Sequence, residues 1–93
     1  MHEDIRLQAD WLTQADERIM EFLLNSGQHP SSVIGHELED YLGYSRPYIG
    51  QRCQELAAYG LLETHYNHYE LSKKGEQYLE CELDARKLTK DTK

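Results

Sequence analysis

The sequence predicts a mainly α-helical fold: a three-helix core, then a two-stranded β-hairpin and one further helix. Three observations carry that expectation. Residues 44–62 read as a capped helix, a glycine stop and the start of a strand. Two helical patterns precede this run, the second ending only two residues before the next cap. A short aromatic hairpin and another helical pattern follow it.

Residues 1–10 are polar, acidic and aperiodic, and are expected to form a flexible arm. Trp11 and Leu12 then precede Thr13-Gln14-Ala15-Asp16, a polar and acidic start of the kind that caps a helix. Ala15, Ile19, Phe22 and Leu23 follow at helical spacing, and Ser26-Gly27 ends that helix, with Trp11 expected to staple its first turn. Gln28-His29-Pro30-Ser31 reads as a turn, because a proline disfavours a helical residue before it. Ser31 or Ser32 can cap a second helix whose apolar face is Ile34, Leu38, Tyr41 and Leu42, with Gly43 as its left-handed stop.

Only Tyr44 separates Gly43 from Ser45, the next cap, and two helices joined so closely make a helix-turn-helix unit. In the third helix Pro47 falls in the first turn, where no amide is needed. Ile49, Cys53, Leu56 and Ala57 form its inward stripe, and Gly60 ends it. Residues 61–66 read as a strand, Asn67-His68 as its turn, and Tyr69-Glu70-Leu71 as the returning strand. Ser72 caps a last helix bearing Tyr78, Leu79, Glu82, Leu83 and Arg86 on one face. Residues 89–93 are expected to fray. Residues 11–88 thus form one domain with the plan of a winged helix-turn-helix.

Composition bounds the reading. Ninety-three residues allow one small core, and Leu, Ile, Val and Phe make up only about a fifth of them. A domain this lean often gains stability from a partner subunit. No apolar run approaches the roughly 20 residues of a membrane span, and no signal peptide opens the chain, so a cytoplasmic location is expected. Two cysteines suggest no disulfide framework; Cys53 has the spacing of a small core residue, and Cys81 can face either way. Seventeen acids against ten bases give a net charge of −7, unusual for a nucleic-acid binder. Within residues 44–60, however, Arg46 and Arg52 oppose only Glu55. An acidic excess also suits a cytoplasm of molar salt, where the Debye length falls to about 3 Å.

From Ser45 onward the chain resembles winged-helix transcription regulators of bacteria and archaea. Their third helix often runs Ser-x-x-Thr-Val-Ser-x-x-Leu-x-x-Leu and closes on Gly-Leu-Val/Ile. Here that register holds Ser45, Tyr48, Ile49, Gly50, Cys53, Leu56, Gly60, Leu61 and Leu62. Residues 69–75 look like the Tyr-x-Leu-Thr-x-x-Gly that closes the wing, where Gly75 lets the last helix lie close to the hairpin. Trp11 ahead of residues 15–19, with residues 44–48 before residues 52–56, is similar to the small repressor-like proteins of halophilic archaea and their phages. The resemblance covers Trp11 to Leu83. It implies double-stranded DNA as partner and a role in transcription. Two departures stand out: Gly50 replaces a serine of the family pattern, and the hairpin tip lacks arginine and lysine.

With Ile49 and Leu56 facing inward, Pro47, Tyr48, Gln51, Gln54 and Glu55 are sent outward, and Arg46 and Arg52 can reach past the helix edge. Arginine suits bidentate contact to guanine and glutamine to adenine, so Arg46 and Gln51 are expected to read bases. Tyr48 can meet a thymine methyl or a phosphate, and Arg52 a phosphate. Ser45 caps the reading helix, while Ser31 and Ser32 offer donors to phosphate at the start of the second helix. On the wing, His65, Asn67 and His68 are expected to be solvated residues near DNA. The i, i+3 spacing of His65 and His68 lacks a clear third ligand, although His29, His36 and both cysteines leave one open; no metal site and no cofactor are expected. Nothing resembles a catalytic constellation, and no small-molecule substrate is evident. The expectation is a homodimeric regulator, a repressor that occludes a promoter on a pseudo-palindromic operator, with Trp11, Leu79 and Leu83 at the dimer surface. The rival is an acidic winged-helix module that binds proteins and not DNA.

Overall fold

A computed structural model describes residues 6–90, without the side chains of Tyr41 and Leu42. The outer parts of the expected arm and tail, and half of the expected apolar face of the second helix, therefore lie outside the described residues. Helix α1 (Gln14–Ser26) starts in a capping box: the Thr13 hydroxyl accepts from the Asp16 amide, and the Asp16 carboxylate accepts from the Thr13 amide at 2.9 Å. Ala15, Ile19, Met20 and Leu23 are buried along one face, and Gly27 ends the helix at φ 88°.

The next segment departs from expectation. His29–Pro30 is not a free turn but a short strand, β1, paired antiparallel with the hairpin. A proline lacks a ladder donor, and an edge strand is where that loss is tolerated. The hairpin strands β2 (Leu62–His65) and β3 (His68–Leu71) complete a three-stranded sheet ordered β1-β3-β2, so the two-stranded wing of the sequence reading gains a third strand. Pro30 is also the N-cap of α2 (Ser31–Leu42), with no side-chain cap bond. Ser31 and Ser32 are therefore inside the first turn rather than capping it.

Helix α2 buries Ile34 and Leu38 and stops at Gly43, left-handed at φ 79°. Helix α3 (Arg46–Ala58) is capped by the Ser45 hydroxyl, which accepts from the Tyr48 amide, and buries Ile49, Cys53 and Leu56. The two helices cross closely at Gly35, where an added Cβ would lie 3.3 Å from the Arg46 backbone. The hairpin turn falls at Tyr66-Asn67, one residue earlier than expected, with His65 opposite His68 and Tyr66 at φ 59°.

Helix α4 (Lys73–Leu79) is capped by Ser72, whose hydroxyl accepts from the Gly75 amide and donates to the Gly60 carbonyl at 2.6 Å. One serine thereby ties the end of the wing to the end of α3. Gly75 sits where a Cβ would meet the Leu61 carbonyl oxygen at 2.4 Å, so the close approach expected of this glycine is real. The helix does not run on to Arg86. It ends at Leu79, Cys81 takes a left-handed φ of 65°, and the chain re-forms as a 3-10 turn over Ala85–Lys87. The cause is tertiary: Leu7 bridges Asp84, and its carbonyl accepts from the Ala85 amide at 2.9 Å. Residues 6–10 are thus partly a packed segment rather than a loose arm. The Arg6 guanidinium binds Glu17 at 2.9 Å, Glu21 at 2.7 Å and the Leu79 carbonyl at 3.2 Å, stitching α1 to α4.

Candidate nucleic-acid interface

The solvent face of α3 carries Pro47, Gln51 and Gln54, with Ser45 and Arg46 at its start; all are exposed. Arg46 is fastened across the helix-turn-helix. Its guanidinium lies 3.1 Å from the Glu39 carboxylate and 3.0 Å from His36 Nδ1, both on α2, yet about half its side chain (53%) remains accessible. An exposed ion pair of this kind contributes little to stability, up to about 1 kcal/mol. These contacts hold the guanidinium across the helix-turn-helix at modest energetic cost. Tyr48 is half-buried against the core beside Tyr44, their rings 5.9 Å apart, so it has less freedom than an outward residue. At the start of α2, Ser32 is exposed, and the Ser31 hydroxyl lies 3.9 Å from where a Cβ on Gly50 would stand.

Arg52 is the main correction. It does not reach past the helix edge toward a phosphate. Its guanidinium grips the fully buried Asp16 carboxylate at 2.7 and 2.8 Å and donates to the Trp11 carbonyl at 2.9 Å. The hydrogen bonds from Arg52 to Asp16 hold the guanidinium in its charged form more firmly than usual, against the opposing effect of burial. A buried carboxylate needs such a partner, because an isolated charge in the interior is costly. Asp16 was legible as a cap but not as the anchor of α3 to α1.

The residues expected at a dimer surface are also engaged within the chain. Trp11 stacks on Tyr59 at the end of α3, ring centroids 3.6 Å apart and planes within 3°. Leu79 is 8% exposed in the core and Leu83 is half-buried against it. With α4 ended at Leu79, Leu79 and Leu83 no longer share one helical face.

On the wing, His65, Asn67 and His68 are exposed as expected, and Tyr66 at the tip is fully so. His65 is not simply solvated: its Nε2 lies 2.9 Å from Glu70 and 3.6 Å from Glu63. The signal for this grouping was strand pairing, invisible in the His-x-x-His spacing alone.

This arrangement matches a family model described as winged helix-turn-helix phage repressor over residues 5–91. The chain belongs to that family. Its fold is similar to the crystal structure of the PhiH1 repressor-like protein from Haloarcula marismortui, with a TM-score of 0.79 and 30% sequence identity. The match covers 95% of this chain and 99% of that one. No curated protein matches the chain. The family is one of repressor-like regulators and not an enzyme class, and among the described residues no helix is long and apolar enough to cross a membrane. The resemblance to haloarchaeal repressor-like proteins read from residues 11–19 and 44–56 therefore holds.

Proposed function

We propose that this family member is a transcription regulator that binds a specific duplex DNA site with the exposed face of α3, and that it represses by occupying a promoter. The observation that carries this reading is the pairing of an accessible, pre-aimed Arg46 with Gln51 about one and a half helical turns further along α3. Side chains at the start of a second helix of this type reach base edges in the major groove. Arg46 suits guanine and Gln51 adenine, each bidentate pair contributing about 1–3 kcal/mol of discrimination. Ser32 and the amides of α2's uncapped first turn face phosphate in the same docking, and Ser45 holds α3's start. A homodimer on a pseudo-palindrome, with half-sites about one helical turn apart, matches the symmetry of such regulators.

Arg46→Ala and Gln51→Ala test the reading. Each removes an exposed side chain, so melting should stay within about 1 kcal/mol of the parent. Affinity for the operator should fall by roughly 5- to 150-fold, and specificity should relax at one base pair in each case. Unchanged binding by both variants refutes the placement and favours the acidic interaction module, for which the net charge of −7 is the supporting observation.

A further inference from the structure

The wing hairpin holds a side-chain group that the DNA reading does not use. Its register sets Glu63 opposite Glu70 and His65 opposite His68. Residues directly opposite, and residues two apart on one strand, share a face of a hairpin. Glu63, His65, His68 and Glu70 therefore lie together on one face. Two carboxylates directly opposite each other destabilise a strand pair unless a cation lies between them. His65 Nε2 is 2.9 Å from one Glu70 oxygen and 3.6 Å from one Glu63 oxygen, and one donor atom from each of the three lies within 4.8 Å of the others. Donors about 2.0–2.1 Å from a tetrahedral zinc ion stand about 3.3 Å apart, and the two observed separations straddle that value.

We propose that this face binds one divalent transition-metal ion of the zinc type through Glu63, His65 and Glu70, with water completing the shell. An imidazole nitrogen beside carboxylates favours borderline ions such as Zn²⁺ over Mg²⁺, which prefers all-oxygen shells and retains its waters. The ligands come from both strands, so the ion cross-links β2 to β3. It also neutralises the two facing carboxylates of the wing. The site is open to solvent, with His65 46% and Glu70 43% exposed, so the ion enters without any rearrangement of the core. The proposal stands on wing geometry and is independent of DNA binding.

Calorimetric titration of the full chain with zinc chloride, and separately with magnesium chloride, tests it. The expected result is saturation at one Zn²⁺ per chain, no comparable binding of Mg²⁺, and a melting temperature that rises with free Zn²⁺. His65→Gln should abolish binding while the metal-free melting temperature stays unchanged, because the side chain is exposed. Histidine ring NMR should place the zinc-induced shifts on His65. Absence of zinc binding, wild-type binding by His65→Gln, Mg²⁺ bound as tightly as Zn²⁺, or shifts centred on His36 would each overturn the assignment.

Discussion

Replacing Arg52 by alanine separates a structural role from a DNA-contacting one. In the folded chain both Asp16 oxygens are held by Arg52, at 2.8 and 2.7 Å, and Asp16 is fully buried. Removing one partner of a buried pair costs about 3–5 kcal/mol, because the remaining charge keeps its desolvation penalty without compensation. Asp16 retains the Thr13 amide as a donor, which places the estimate at the lower end, about 3 kcal/mol. For a domain of this size that corresponds to a melting temperature lower by roughly 12–24 °C. Urea denaturation of Arg52→Ala, Asp16→Ala and the double variant isolates the pair. In the Arg52→Ala background Asp16→Ala removes the unpaired buried charge, so the second substitution should restore part of the lost stability, offset by the lost cap of about 1 kcal/mol. An Arg52→Ala protein that unfolds at the parent's midpoint while losing operator affinity would refute this and restore Arg52 to the interface.

Gly75→Ala should destabilise by at least ~1–3 kcal/mol in thermal melting, because its Cβ would stand 2.4 Å from the Leu61 carbonyl oxygen. Gly50→Ala should instead stabilise by up to about 1 kcal/mol, since the nearest atom, the Ser31 hydroxyl, is 3.9 Å away and alanine is the better helix former. Burial pushes the Glu17 carboxyl up, but the Tyr78 hydroxyl, Gln8 and Arg6 together outweigh it and hold the carboxyl below its ordinary value of 4.5. Its contribution is therefore present above pH 4.5 and lost as pH falls through the lowered folded value, so the stability gap between parent and Glu17→Gln should close in acid denaturation. Burial, with the Asp16 charge adding to it, pushes the Cys53 thiol up to about 12. A thiol reagent at pH 8 should accordingly label the half-buried Cys81 first and reach Cys53 only on unfolding; equal labelling rates in the native state would contradict the packing.

The parts of the fold visible in the sequence were those fixed by local chemistry. Thr13, Ser45 and Ser72 cap helices because a side-chain oxygen satisfies the nearby amides, and Gly27, Gly43 and Gly60 adopt the positive φ that ends them. What was not visible depends on contacts between distant segments. His29–Pro30 becomes a strand only because β3 offers it an edge, and α4 stops at Leu79 only because Leu7 captures Asp84 and Ala85. The candidate site divides the same way. Arg46, Pro47 and Gln51 stand outward, as helical phase alone requires, whereas Arg52 turned inward because Asp16, 36 residues earlier, is buried beside it. The turn shift to Tyr66-Asn67 likewise reflects ladder closure by His65 and His68, which no single turn residue dictates.

The central claim is that α3 reads duplex DNA in a sequence-specific way. An unbiased selection from random duplexes, run with folded protein in roughly 0.2 M and 2 M potassium chloride, tests it most directly, because phosphate attraction fades with salt while base readout persists. The account predicts enrichment of one inverted-repeat motif at both salts, lost when Arg46→Ala and Gln51→Ala are combined. No enriched motif at either salt would contradict it.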